Sequence, residues 1–354
     1  MNILLLMDPF IPVPPIYYGG IERVMYDIAC KYKEMGHEVT IIAGPNSKSP
    51  GRLITYGQNG ELNPALDLKV LAEVARILCK ELKKHDVIHN FGRLVFLVPF
   101  AWFKIRKVQT YMRYIDRRNI QRFDSLRMRN LAYTAVSDVI VATGKTTKSN
   151  WHTVYNCAPV NYFTFRPSVP DNAYLVFLGR IERCKGLHSA IKVAKLSSKN
   201  LVIAGNISTL PHEISYFEQE IKPLIDGNQI RYIGVVNNEQ KNVLLGSAAA
   251  LLTPIEWVEP FPIIIPEAFA CGTPVLGFNM GGVPEGISHG STGFISETVE
   301  QMAGHVLRIH ELSRAACRKE AETKFSDTVI ANRYLDIYKA ISHKGTKTQS
   351  STKI

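Results

Sequence analysis

The sequence predicts an α/β protein made of two doubly wound, Rossmann-like domains, each built on a parallel sheet. Three observations carry that expectation. Short continuous apolar runs, Ile3–Met7 first among them, alternate with stretches of helical periodicity, as strands do when both faces are covered. The alternation breaks in a stretch rich in Pro, Asn and aromatics (Asn156–Asp171) and restarts at Tyr174. A length of 354 residues suits two domains, and 46% hydrophobic residues can fill a core in each.

In the first half, Asp8 ends the opening strand and a proline-rich loop runs to Tyr18. Gly19-Gly20-Ile21-Glu22 then opens an amphipathic helix to about Met35, Gly36-His37 stops it, and Val39–Ala43 is the second strand. This is a βαβ unit with a phosphate-sized glycine turn. It lacks the G-x-G-x-x-G of dinucleotide sites, and Gly19-Gly20 would also serve a plain tight turn. Residues 44–64 read as loop, Leu66–Lys83 as a helix, and Asp86–Phe91 and Lys107–Arg113 as strands. Thr143-Gly144-Lys145-Thr146 imitates the end of a P-loop, but Val139 stands where that motif needs a glycine.

In the second half, Tyr174–Leu178 is a strand, followed by Gly179-Arg180-Ile181-Glu182-Arg183-Cys184-Lys185-Gly186 and a helix to about Leu196. Leu201–Gly205, Ile230–Gly234 and Ala249–Leu252 read as further buried strands. A proline-punctuated loop comes next. Glu267 should open a helix with Pro266 at its first position, where a missing N–H does no harm. Cys271-Gly272 stops that helix and Val275–Phe278 resumes as a strand. Ser326–Ile341 reads as a C-terminal helix, and the tail from Lys344 as polar and disordered. Glu259 and Glu267 lie eight residues apart, one in the loop and one at the helix start. Carboxylates and backbone N–H groups at such a junction suit an anionic ligand with hydroxyls. A glutamate there is also favourable against the helix dipole in any protein.

Bulk properties narrow the class. The six cysteines are scattered without a C-x-x-C, which points to reduced thiols in a cytoplasmic protein and against a zinc site. The first apolar run is too short for a signal peptide. The longest, Leu94–Phe103, is half a membrane span and contains Pro99. Net charge is +11, and between Arg93 and Lys148 twelve Lys or Arg stand against three Asp, an excess of nine. Arg117–Arg129 (RRNIQRFDSLRMR) concentrates it. A charge run is commonly a solvated face. The sharper reading is a patch for anionic lipid headgroups or a phosphate-bearing acceptor, with peripheral attachment to the inner face of the plasma membrane. Nucleic acid is disfavoured, because no recognised binding motif accompanies the charge.

The string E-P-F-x5-E-A-x-A-x-G-x-P-V from Glu259, followed by G-G-x-P-E from Gly281, is too long to arise from helix capping. It resembles the E-x7-E signature of the retaining GT-B glycosyltransferases of family 4, and the Arg180/Lys185-Gly186 element resembles that family's second signature. The resemblance covers nearly the whole chain and is strongest from Tyr174 to Gly293. It implies the GT-B fold, with the two domains facing a central cleft. The implied boundaries are 1–165 for the acceptor domain, 166–325 for the nucleotide-sugar donor domain, and 326–343 for a helix crossing back to the first domain, with the tail at 344–354.

The resemblance also implies roles. Arg180 and Lys185 would contact the donor pyrophosphate, Glu259 the transferred sugar and Glu267 the ribose. Gly19 and Gly20 would approach the diphosphate and acceptor. Phe261, Pro262, Ile263 and Ile264 would line the phosphates, and backbone near Val236 the base. UDP-sugar is the first choice of donor and GDP-sugar the next, the acceptor being a saccharide or a lipid-linked one in cell-surface polysaccharide or glycolipid synthesis. No Asp-x-Asp occurs, so neither a metal nor a cofactor beyond the nucleotide sugar is implied.

There are departures from the family pattern. Phe91 replaces a second histidine after His89, which leaves His89 a structural part. Met112 or Arg113 stands where the family has a histidine near the donor sugar, and Pro262 replaces a glycine, removing one backbone donor. Two rival readings follow: a non-transferring sugar-nucleotide enzyme of the 2-epimerase type, and a binding protein that kept the fold and lost turnover.

Overall fold

The apolar runs become strands of two all-parallel sheets. A computed structural model describes residues 1–15, 19–58, 67–147 and 149–343, so the expected disorder from Lys344 lies outside the described residues. The chain divides into Met1–Tyr155 together with the stretch from Asp327, and Asn156–Ser326. The division falls ten residues earlier than the 165/166 boundary expected above. The Pro- and aromatic-rich stretch belongs to the second unit: Thr164 N–H donates to Asn242 Oδ1 (2.9 Å) and Arg166 N–H to Cys271 O (3.1 Å).

The first unit holds β1 (Asn2–Leu6), β2 (Glu38–Ala43), β3 (Arg52–Thr55), β4 (Val87–Asn90), β5 (Arg106–Tyr111), β6 (Leu131–Ala135) and β7 (Trp151–Thr153). Their order is β3-β2-β1-β4-β5-β6-β7, with Ile3 opposite both Val39 and Val87. Its helices are α1 (Gly20–Glu34), α2 (Leu68–Glu81), α3 (Arg117–Ser125) and α4 (Asp138–Gly144). Ile3 to Leu6 are all buried, which accounts for a continuous run rather than an alternating one. Leu4, Leu6, Ile42 and Ile88 pack on Val74 and Leu78 of α2. The P-loop imitation resolves as the end of α4, where a Cβ on Gly144 would lie 2.8 Å from the Trp151 ring.

The C-terminal helix α11 (Asp327–His343) belongs to this unit through a buried polar chain. Tyr338 Oη lies 3.0 Å from Tyr32 Oη and 2.6 Å from His89 Nδ1. His89 Nε2 is 2.6 Å from Thr110 Oγ1, itself 2.6 Å from Thr134 Oγ1. Fully buried and stacked on Phe91, His89 is held neutral, burial pushing its pKa well below the ordinary value. It is a structural residue. One chain of hydrogen bonds thus ties α1, α11 and three strands together.

The second unit holds β8 (Leu175–Leu178), β9 (Leu201–Ala204), β10 (Ile230–Tyr232), β11 (Ala250–Thr253), β12 (Val275–Phe278) and β13 (Gly293–Ser296), in the order β10-β9-β8-β11-β12-β13. Its helices are α5 (Leu187–Leu196), α6 (Pro211–Tyr216), α7 (Asn238–Gly246), α8 (Ile264–Ala270), α9 (Val299–Val306) and α10 (Arg314–Glu320). Leu175, Phe177, Leu201, Ile203 and Leu252 pack on α5 and α9. In both orders the crossover direction reverses beside the first strand, between β1 and β4 and between β8 and β11. Ligands of such sheets bind outside the strand ends at that point. All six cysteines are free thiols.

Candidate functional site

The second unit brings Lys185, Gly186, Glu259 and the Gly281-Gly282 turn together at the β8/β11 switch point. Gly186 sits in the left-handed region (φ +74°), and a Cβ there would lie 1.8 Å from Pro254 O. Only glycine lets the turn after β8 pass this close to the loop after β11. The two loops then zip together. Glu256 N–H donates to Cys184 O (2.9 Å), Ser189 Oγ to Glu256 Oε1 (2.7 Å), and His188 Nε2 lies 3.0 Å from the same Oε1. The contact delivers Lys185 to Glu259: Nζ donates to Oε2 at 2.5 Å and stands 5.2 Å from the centre of the Trp257 ring.

The G-G-x-P-E element supports Glu259 from the other side. Gly281 (φ +58°) passes so near that a Cβ would lie 2.4 Å from Glu259 O, and Gly282 N–H donates to that carbonyl at 2.7 Å. The two halves of the long motif are therefore in direct contact. Arg180, at the end of β8, pairs with Glu182 (2.9 Å). A cavity of about 320 Å³ opens beside this loop, lined by Ser189, Glu256, Phe278, Asn279, Ser296 and Thr298 among others.

Glu267 is buried and forms an ion pair with Lys241 of α7, whose Nζ also stands 5.6 Å from the Phe163 ring centre. Its charge, after burial itself, helps push the Cys271 thiol up to about 12. The helix around it differs from the expectation in one respect. α8 begins at Ile264, with Pro266 at its third position and Glu267 at its fourth. Proline is tolerated there because the first four N–H groups of a helix have no intrahelical acceptor. Ile263 is the N-cap of α8, without a side-chain cap, and Phe261 O accepts a hydrogen bond from buried Asn156 Nδ2 at 2.8 Å. Val236 lies half-buried in the loop between β10 and α7.

Gly19 and Gly20 lie in the first unit, at the start of α1. A Cβ on Gly19 would lie 2.7 Å from Pro15 Cβ and 2.9 Å from Glu22 Oε2, so the turn is packed as well as tight. Two buried carboxylates share that end of the sheet. Asp8 lies 3.6 Å from Arg93 Nε, and Oδ1 accepts the Arg93 backbone N–H at 3.3 Å. Glu22 has no side-chain partner among the described residues. Burial raises the pKa of both, against the pull of Arg93 on Asp8 and of Arg113 on each.

Both halves of the chain match known proteins. The family described as Glycosyl transferases group 1 matches residues 162–324, and that described as Glycosyltransferase Family 4 matches residues 18–166. The chain belongs to the group 1, family 4 glycosyltransferases. A Klebsiella pneumoniae relative, named an uncharacterized 41.2 kDa protein in cps region, is 31% identical over 175 residues, 47% of this chain and 46% of its own length. The chain thus spans about half the length of the curated relatives it matches. Among solved structures, a glycosyltransferase from Rickettsia africae superposes with a TM-score of 0.78 at 21% identity, covering 98% of this chain and 99% of that one. Anabaena Alr3699/HepE, in complex with UDP and glucose, gives 0.73 at 18%, covering 96% and 100%. At these identities the likeness shows the fold, which is GT-B.

Lys241, Asn156 and the Glu256–His188–Ser189 cluster were not singled out in the sequence. Lys241 lies 26 residues from its partner and belongs to no motif, so only the packing of α7 beside α8 reveals it.

Proposed function

We propose that this glycosyltransferase moves a hexose-type sugar from a nucleotide-sugar donor to a saccharide or lipid-linked acceptor, with retention of anomeric configuration. The observation that carries the reading is the pairing of both glutamates of the E-x7-E string with lysines from other elements, Lys185 with Glu259 where the loops after β8 and β11 meet, and Lys241 of α7 with Glu267 of α8. As the donor C–O bond breaks, negative charge grows on the diphosphate and positive charge on the anomeric carbon. Lys185 and Arg180 would meet the first, and Glu259, holding sugar hydroxyls, the second. Glu267, kept in place by Lys241, would accept hydrogen bonds from the ribose diol. Lining by Phe261, Pro262, Ile263 and Ile264, and base contacts near Val236, belong to the same reading. Front-face attack lets the leaving phosphate take the acceptor proton, so no protein base is needed at Met112 or Arg113. The cations are supplied by side chains, and the reaction is proposed to run without a metal.

UDP is the first choice of nucleotide, supported by a fold neighbour that holds UDP and glucose; GDP is the next. Cell-surface polysaccharide or glycolipid synthesis is the proposed setting. The test is thermal unfolding with UDP, GDP, ADP and their sugar conjugates, EDTA present throughout. A ligand at about a hundred times its dissociation constant adds about 2.7 kcal/mol to the folded state, so the true donor raises the midpoint visibly. NMR of the product should then show the anomeric configuration of the donor. No shift with any nucleotide would remove the donor site, and an inverted product would remove the mechanism.

A further inference from the structure

Four large apolar side chains are exposed among the described residues of the first unit, and three of them bracket α3. Tyr114 (63% exposed) precedes its Asp116 cap, and Trp102 (64%) and Phe103 (50%) lie by its other end. The second placement is fixed by hydrogen bonds. Arg129 N–H donates to Ala101 O (2.7 Å), Lys107 N–H to Asn130 O (2.8 Å) and Asn130 Nδ2 to Lys104 O (2.5 Å). The apolar run Leu94–Phe103 is thereby split: Leu94, Phe96, Leu97 and Phe100 are buried, and its last two residues are left outside.

Between the aromatics lies uncompensated charge. Arg117, Arg118, Arg122, Arg127 and Arg129 are all exposed, and among the described residues none has a carboxylate within ion-pair distance. The nearby acids are engaged elsewhere, Asp116 capping the Arg118 N–H (2.9 Å) and Asp124 accepting from Thr146 Oγ1. Several cations elsewhere in this unit are paired, among them Lys31 with Glu34, Lys33 with Glu38 and Arg52 with Glu81, but no other described stretch of the unit gathers five exposed arginines within thirteen residues. Ile120 is buried and Phe123 packs on the core, so α3 turns its apolar side to the protein and cannot insert as an amphipathic helix.

We infer that this face docks on an anionic lipid bilayer. The arginines hold headgroup phosphates in the bidentate manner guanidinium allows. Trp102 and Tyr114 enter the headgroup boundary, where aromatic rings with a polar handle settle, and Phe103 adds apolar area beside Trp102. Aromatics grouped at the two ends of a helix, about 13 Å apart by its length, suit a flat surface. Nucleic acid would want them interleaved with the arginines along a groove. The inference uses no residue of the donor site.

The experiment is co-sedimentation of the full chain with phosphatidylcholine vesicles, with and without about one quarter phosphatidylglycerol, at physiological salt. Wild type should pellet with the anionic vesicles only. Arg117→Gln/Arg118→Gln/Arg122→Gln should weaken that binding at least tenfold, since each charge is worth about fivefold near such a surface. Trp102→Ala/Phe103→Ala should remove the fraction that survives high salt, and the vesicle-induced blue shift of tryptophan emission should vanish in Trp102→Phe. Unchanged midpoints of unfolding and unchanged nucleotide binding show that the variants fold. Equal binding to neutral vesicles, or indifference to both sets of variants, would overturn the inference. So would an oligonucleotide that binds the arginines and outcompetes the vesicles.

Discussion

Both sheets carry a pair of enclosed carboxylates at their switch points, in different company. In the second unit, Glu259 and Glu267 are each clasped by a lysine that approaches from another loop or helix. In the first, Asp8 has one arginine at 3.6 Å and Glu22 has no side-chain partner among the described residues. In the second arrangement each carboxylate has its own ammonium group, and of the two lysines Lys185 is the one proposed to turn to a phosphate while Lys241 holds Glu267. In the first, Arg93 and the more distant Arg113 only partly offset the burial that works against its charges. On the proposed function, the second arrangement would suit the anionic donor and the first a ligand that offers hydroxyls.

The largest effect should come from breaking the Lys185–Glu259 clasp. Lys185→Ala would remove the proposed charge-assisted contact to the diphosphate and leave the Glu259 carboxylate without its lysine. UDP binding measured by calorimetry should weaken about a hundredfold, the scale of a truncated buried charge pair. Lys185→Ala/Glu259→Gln should recover the thermal midpoint without recovering the affinity. Affinity within about threefold of wild type in both would mean that Lys185 does not meet the phosphates.

Lys241 sharpens the comparison further. It acts through Glu267, so Lys241→Met and Glu267→Gln should each weaken nucleotide binding about tenfold, and together scarcely more. That non-additivity, near 1.4 kcal/mol of coupling, separates a positioning lysine from one that touches the ligand itself. Lys241→Arg should restore most of the loss. Additive losses would show two independent contacts and end the positioning role.

What the sequence discloses follows the same physics. Strands buried on both faces, such as β1, β8, β11 and β12, read as continuous apolar runs, and β1, β8 and β11 border the switch points. The edge strands lack that signature. β3 (RLIT) is exposed or half-buried throughout and lies within the 44–64 loop of the reading, and β7 (WHT) is three residues long. β6 (LAYTA) is buried but carries Tyr and Thr in place of an aliphatic run, which concealed it. On the site side, Arg180, Lys185, Glu259 and Glu267 stand out because fixed spacing ties them together in two short strings, one after β8 and one running from the loop after β11 into α8. Close contacts explain two of the motif glycines, Gly186 against Pro254 and Gly281 against Glu259. Lys241 and Asn156 reach the site through helix packing and a loop crossing, which leave no periodic trace. The fixed φ of Pro266 suits any of the first helical residues, so the sequence does not disclose that Ile264 and Ile265 precede it in α8.

The smallest effect probes the first unit. Burial raises the pKa of Glu22 above its ordinary 4.5, so between that value and the higher folded one the native state keeps a proton that the unfolded chain has released. The contribution of Glu22 is therefore fully present below the ordinary carboxyl pKa and is lost as pH rises through the folded value. At neutral pH the ionised group is a burden. Glu22→Gln should raise the unfolding midpoint by about 2 °C near pH 7.5 and by nothing near pH 4. His89, whose pKa is lowered, works the other way: below its ordinary 6.5 the unfolded chain takes up a proton that folded His89 refuses. That loss on acidification is common to wild type and variant and cancels in their difference. Asp8→Asn should behave like Glu22→Gln but gain less, because Arg93 already compensates Asp8. A midpoint difference equal at both pH values would trace the Glu22 effect to packing against Gly19, and the contrast between the two sheets would then rest on the lysines alone.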